Sequence, residues 1–364
     1  MLTEALSKAR LEAERRVARR LFASPLACRL LAGWRGDPID GRRVSADLAA
    51  MLRLAELQGM APVSSLTPVQ ARRDLARSVA LCAEAPASDV DTSTVFFAGP
   101  DSKLRVNVYV PRGLPPLSPA VLYIHGGGWV TGDVDVYNVF AGRLASATRT
   151  TVFSLDYRLA PEHKFPSQPD DCLAAWRWLK SQAGPFRFDP ARVAVSGDSA
   201  GGSLSALVAQ ESANDAFRPA LQALIYPSLD ATFAHPSHES LREGFFLTRE
   251  SIDWYLAHYA GSNPDRLDPR LSPLLAPDPM PKVPALIFTA GLDPLRDEGL
   301  AYAMRLRATG AAVYHREFAD MVHGFALMAG VARGPLRATD EMRNAIGRVL
   351  HAPDIAEAVA SHTQ

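Results

Sequence analysis

The stretch RVAVSGDSAGGSLSALVAQ (192–210) places Ser199 two residues after Gly197 and two before Gly201. An apolar run precedes the serine and an Ala- and Leu-rich run follows it, so the serine stands where a strand turns into a helix. Such a turn exposes the serine Oγ above a sheet and crowds the backbone, and glycine at both flanking positions relieves the crowding. The turn also aims the first N–H groups of the following helix, beginning at Ala200, at a developing negative charge. A serine hydroxyl is a poor nucleophile until a base takes its proton and donors hold the oxyanion. The spacing is what a nucleophile elbow requires. Gly-x-Ser-x-Gly alone also occurs in ordinary turns, and the strand and helix flanks set this one apart.

Around the elbow, apolar runs of strand length alternate with helical patterns. STVFFAG (93–99) and LRVNVYV (104–110) flank a Gly-Pro-Asp turn, and AVLYIH, TVFSLD, RVAVS, LQALIY, ALIFTAG and AAVYHREF follow. Helical patterns fall near 137–147, 167–183, 200–211, 295–308 and 336–350. Continuous apolar strands alternating with helices predict an α/β fold: a mostly parallel eight-stranded sheet with helices on both faces. Before residue 85 the pattern is helical, without strands. Leu2, Leu6, Ala9, Ala13, Val17 and Leu21 recur at helical spacing, Ser45–Leu57 is a second amphipathic segment, and Thr67, Pro68 and Gln70 begin a third as cap, first-turn proline and capping-box partner. One interval breaks the alternation. Between LQALIYP and the seventh strand runs a long proline-rich excursion with a capped helix beginning at Thr248. An excursion of that length predicts an insertion over the strand ends, where ligands sit in such folds.

Composition narrows the function. The chain has 364 residues, with 39 Lys+Arg against 39 Asp+Glu, so no net charge argues for nucleic acid as partner. No apolar run reaches bilayer length. The start, MLTEALSKARLEAERR, is charged at once and has no apolar signal region. Cys28, Cys82 and Cys172 lie far apart, a spacing suited neither to zinc nor to a disulfide framework. Reduced thiols and a cytoplasmic location are expected. No metal or cofactor is implied, and homo-oligomer formation is left open.

A second motif completes the chemistry. YIHGGGWVTGD sets Gly126, Gly127 and Gly128 directly after the third strand, where main-chain N–H groups approach a substrate oxygen with no side chain in the way. A phosphate cradle would need a following Lys-Ser/Thr or a Rossmann acid, and neither is present. His125 reads as a residue that fixes the loop, since it precedes the glycines and the base is expected late in the chain.

Together these motifs resemble the hormone-sensitive-lipase-like family of α/β-hydrolases, the bacterial esterases with HGGG and GDSAGG signatures. The resemblance spans roughly residues 45–350 and includes DYRLAPEHKFP (156–166), SPLLAP (272–277), GLDPLRDEG (291–299) and MVHGF (321–325). It implies the α/β-hydrolase fold, Asp293 as triad acid and His323 as base, in the chain order Ser, Asp, His. Asp293 also precedes Pro294, where it is suited to cap a helix. His315 is a rival base inside the last strand, and Asp297 and Glu298 are rival acids in the first turn of a helix. Asp156, Arg158 and Glu162 read as a charge network supporting the elbow, with Asp198 as a further member. Trp129, Trp254, Tyr255 and Tyr259 are candidates to wall a pocket or simply to fill core.

The expected activity is hydrolysis of a small-molecule carboxylic ester, of short to medium acyl chain by resemblance. Ser199 is the nucleophile, and Gly127, Gly128 and Ala200, with Gly126, hold the oxyanion. The rival readings are another serine acyl-transfer enzyme, an amidase or transacylase, and a non-catalytic binder on the same scaffold. The expected organisation is 1–85 as the N-terminal part of a helical cap, 86–230 and 266–352 as hydrolase core, 231–265 as cap insertion and 353–364 as a tail.

Overall fold

The eight apolar runs form one sheet in the computed structural model, which describes residues 2–33 and 38–362, with side chains from residue 9 onward. The strands are β1 (Val90–Ala98), β2 (Lys103–Pro111), β3 (Ser118–Ile124), β4 (Thr151–Asp156), β5 (Phe188–Asp198), β6 (Leu221–Ile225), β7 (Ala285–Leu292) and β8 (Val313–Val322). Their order is β1-β2-β4-β3-β5-β6-β7-β8. β1 and β2 pair antiparallel, as do β2 and β4, and every later pairing is parallel. The central strands β3, β6 and β7 are buried along their whole length, because helices cover both faces.

The helices that the periodicity places are present, and short helices at 25–32, 183–186, 237–240 and 355–361 join them. The N-terminal set is α1 (Leu2–Ala23), α2 (Pro25–Ala32), α3 (Ala46–Leu57) and α4 (Pro68–Cys82). The sheet is covered by α5 (Asn138–Thr148), α6 (Ser167–Leu179), the short α7 (Ala183–Phe186), α8 (Ala200–Glu211), α11 (Arg296–Ala308) and α12 (Arg333–His351). The excursion contributes α9 (Ser237–Ser240) and α10 (Arg249–Ala260), and α13 (Ile355–Ser361) follows α12. α4 begins with the full capping box: Thr67 Oγ1 accepts from the Gln70 amide and the Gln70 side chain accepts from the Thr67 amide. α10 begins with Thr248 Oγ1 accepting from the amide of Ser251.

Two boundaries and one buried face differ from expectation. β1 begins three residues earlier than the STVFFAG run, where Val90 pairs with Pro111. β8 runs on to Val322, which pairs with Leu292, so His323 is the first residue after the strand. On α1, Val17 faces solvent although it shares the helical spacing, and Phe22 is the side chain that buries beside Cys28, Ala50 and Val331. Among the described residues no helix is long and apolar enough to cross a membrane.

Register explains how distant segments meet. Ile124 pairs with Gly197, Asp198 with Ile225, and Leu292 with Val322. The residues that follow these strand ends, from His125, Ser199, Tyr226, Asp293 and His323, therefore leave the sheet along one edge.

Candidate active site

Ser199 sits in the turn between β5 and α8 with φ 54° and ψ −122°, a conformation costly for a residue with a Cβ. Neighbouring bonds hold it there: its amide donates to Ile225 O at 2.9 Å, and its carbonyl accepts from the amides of Ser203 and Ser228, both at 3.2 Å. The flanking glycines are sterically required. A Cβ at Gly197 would strike the carbonyl of Gly201, and one at Gly201 would strike the carbonyl of Ile124.

His323 joins both partners. Its Nε2 lies 2.9 Å from Ser199 Oγ and its Nδ1 lies 2.8 Å from Asp293 Oδ2. With the hydroxyl donating to Nε2 and Nδ1–H donating to the carboxylate, the three side chains form one relay. Asp293 is fully buried, and its Oδ1 accepts from the Leu295 amide at 2.9 Å, so the same carboxylate also caps the turn into α11. The Tyr226 ring packs edge-on against the His323 imidazole with centroids 4.9 Å apart.

The rival residues lie elsewhere. His315 is in β8, its Nε2 3.0 Å from Thr289 Oγ1, and burial lowers its pKa. Asp297 accepts from Arg296 Nε and from the amide of Ser237. Glu298 is fully buried, accepting from the Leu229 amide at 2.6 Å and sitting 2.9 Å from His238 Nε2, and burial raises its pKa against the pull of those partners. Asp297 and Glu298 are thus more than acids placed for a helix dipole: they anchor the chain after β6 to α11.

The glycine loop is held from beneath by Asp198. That carboxylate is buried and accepts from Tyr123 Oη at 2.6 Å, from the Gly126 amide at 2.8 Å and from Tyr137 Oη at 3.1 Å. Burial raises its pKa, while the three donors oppose the shift. The Gly126 amide is therefore already committed inside the protein, which corrects the expectation that it donates to an oxyanion. Gly127, Gly128 and Ala200 line a cavity of about 160 Å³ above Ser199, together with His323. Ala200 opens α8, where the first-turn N–H groups have no intrahelical acceptor. His125 is buried, stacks on Tyr157 at 4.3 Å and donates from Nδ1 to Gly126 O at 2.8 Å, and burial lowers its pKa. It fixes the loop and does not reach the serine.

The expected network of Asp156, Arg158 and Glu162 beneath the elbow is three separate contacts. Asp156 pairs with Arg105, and Arg158 with Asp171 and Asp101. Glu162 pairs with Arg72 of α4, whose guanidinium also donates to Val130 O and Ala160 O, each at 2.8 Å. Arg72 thus ties α4 to the loop that carries the glycines, a contact no local pattern announces. The aromatics divide: Tyr255 lines the cavity and sits where a Cβ on Gly128 would fall, while Trp129, also at the wall, stacks on Tyr259 at 4.3 Å.

A strand-end serine elbow, an imidazole–carboxylate relay and a glycine loop on one parallel sheet define an α/β-hydrolase. A family described as having the alpha/beta hydrolase fold matches residues 121–327, and the chain belongs to it, among the hormone-sensitive-lipase-like esterases. The carboxylic ester hydrolase LipN of Mycobacterium tuberculosis is 38% identical over 328 residues, covering 88% of this chain and 87% of that protein. The ethyl acetate hydrolase of Pseudomonas putida is 38% identical over 297 residues, covering 79% of this chain and 93% of that one. Among solved structures, an ester hydrolase from the metagenome of Lake Arreo, complexed with a derivative of bipyridine phosphonate, superposes with a TM-score of 0.79 at 37% identity, covering 85% of this chain and all of that one.

Proposed function

We propose that the protein is a serine carboxylesterase. The observation that carries the reading is the unbroken relay from Ser199 Oγ through His323 to Asp293, with contacts of 2.9 and 2.8 Å. Ser199 Oγ attacks the ester carbonyl carbon as His323 Nε2 takes its proton. The carbonyl π electrons move to the oxygen, and the amides of Gly127, Gly128 and Ala200 stabilise the resulting oxyanion. Collapse expels the alcohol oxygen, which takes the proton from Nε2. Water then attacks the acyl-enzyme by the same route, the acid leaves, and Oγ recovers its proton. Asp293 holds the imidazole tautomer and stabilises the imidazolium.

The cap is part of the same reading. Leu75 of α4 and Leu247, Ile252 and Tyr255 of the excursion wall the cavity. That contact supports residues 1–85 and 231–265 as a cap over a core of 86–230 and 266–352; within the expected tail 353–364, α13 instead packs Val359 into the core. A cavity of this size, walled by apolar side chains, supports short to medium acyl chains. The unpaired cysteines accord with a reducing, cytoplasmic setting.

Hydrolysis of a p-nitrophenyl ester series from acetate to dodecanoate tests the reading. Activity that peaks at short to medium chains and is abolished by a serine-reactive phosphonate is expected. No hydrolysis at any chain length, or full activity after phosphonate treatment, sinks it. Profiling with alcohol and amine acceptors separates hydrolysis from acyl transfer.

A further inference from the structure

The cavity above Ser199 shares part of its wall with a neighbouring one. Leu75 of α4, together with Gly324 and Leu327 after β8, lines it and also lines a second chamber of about 330 Å³. The second chamber lies against the N-terminal helices, with Phe22 of α1, Leu54 and Ala55 of α3 and Val79 of α4 in its walls. Among the described residues no charged side chain lines it. In the shared wall, Gly324 has φ 74° and no side chain, and a Cβ added there would meet nothing within 4 Å. We propose that this chamber binds the alkyl arm of the alcohol portion of the ester, so that the substrates include short-chain acyl esters of long, apolar alcohols. The inference rests on the esterase reading above.

The direction follows from the tetrahedral intermediate. Its central carbon carries Ser199 Oγ, the oxyanion, the leaving oxygen and the acyl carbon. The oxyanion lies against the amides of Gly127, Gly128 and Ala200. The leaving oxygen must lie within hydrogen-bond reach of His323 Nε2, which delivers its proton. The alcohol arm therefore departs on the His323 side. Gly324 is the next residue in the chain, and Leu327 lies in the single helical turn at Phe325–Met328 that follows. These are the residues shared with the chamber. The acyl arm takes the remaining direction, towards Trp129 and Tyr255 beside the glycine loop. Every methylene moved from water into an uncharged chamber favours the bound state, and two such groups are worth about tenfold in kcat/KM.

Octyl acetate and ethyl octanoate are isomers with the two arms exchanged, and they make the test. The unmodified enzyme should hydrolyse octyl acetate with kcat/KM about tenfold or more above ethyl octanoate. Ala55→Trp fills the chamber from α3 and should lower the octyl acetate to ethyl acetate ratio about tenfold, leaving the ethyl octanoate to ethyl acetate ratio within about twofold. Ser78→Trp fills it from α4 and gives the same result if Ala55→Trp does not fold. A preference of the unmodified enzyme for ethyl octanoate, equal losses on both isomers, or filled variants with unchanged ratios would each overturn the proposal. Ethyl acetate hydrolysis no faster than that of Ser199→Ala would instead overturn the esterase reading beneath it.

Discussion

Asp293 accepts from His323 Nδ1 through Oδ2 at 2.8 Å while its Oδ1 accepts from the amide at the start of the next turn. The second contact pins the carboxylate plane, so the first is pre-organised rather than left to a mobile side chain. Asp297, four residues on, faces Ser237 and Arg296.

That difference predicts unequal costs for the same chemical change. Asp293→Asn should keep the fold, strand His323 in the wrong tautomer and lower kcat by about 10⁴, as in the serine-protease precedent. Asp297→Asn should lose part of its bond set with Ser237 and Arg296, reduce stability and leave kcat within about threefold. Steady-state kinetics on the two purified variants check this, and equal activities would move the acid away from Asp293.

Ser199→Ala should lower kcat by about 10⁴ or more with an unchanged circular dichroism spectrum. Mass spectrometry after phosphonate treatment should place the adduct on Ser199 in the unmodified enzyme and nowhere in the variant. An adduct on another serine, with turnover retained, contradicts the assignment.

Gly201→Ala tests the geometry of the elbow. Its Cβ would collide with the main chain after β3, which is backbone and has no rotamer to yield. A loss of about 1–3 kcal/mol in stability is expected, with activity lost alongside. Gly184→Ala, where the added Cβ meets nothing within 4 Å, is the control and should be neutral or slightly stabilising. Indistinguishable denaturation midpoints for the two variants would show that the elbow tolerates the side chain.

Arg72 is a positioning residue, acting on the glycine loop through the carbonyl of Val130. Arg72→Met keeps the alkyl stem and removes the fork, so kcat should fall about tenfold with a smaller change in KM, because loosened oxyanion donors act in the transition state. Arg72→Lys should not restore it, since one ammonium cannot span Val130, Ala160 and Glu162. An unchanged kcat in Arg72→Met would confine the contact to stability.

The same ion pair carries a pH signature. The Arg72 guanidinium beside Glu162 holds its carboxyl at about 2, below an ordinary value of 4.5. A depressed carboxylate stabilises the fold above its unfolded pKa, and the contribution is lost as pH falls from about 4.5 towards 2. The difference in thermal midpoint between the unmodified protein and Glu162→Gln should therefore be constant above about pH 5 and shrink below it. A gap that stays constant down to pH 3 would show that the pair does not stabilise the fold.

The elbow, the glycine loop and the alternation of strands with helices were legible in the chain because each is a local constraint. Strand-to-helix reversal at Ser199 demands small neighbours two residues either way, and a burial pattern repeats along each element. The order of Asp293 and His323 came from resemblance, and register brings them to one sheet edge by pairing Leu292 with Val322. What only the tertiary structure decided depends on which surfaces meet across long separations. Asp198 Oδ1 accepts from both the Gly126 amide and Tyr123 while Oδ2 accepts from Tyr137, and nothing adjacent to GGG encodes that buried contact. Arg72 lies 58 residues before the carbonyl it holds, and Glu298 lies 69 beyond the amide it accepts. The chamber beside Leu75, Gly324 and Leu327 exists because α1, α3 and α4 pack without filling the space beside the His323 loop. Periodicity specifies that a helix face is apolar; the shape of the neighbouring elements decides whether that face meets another side chain or a cavity.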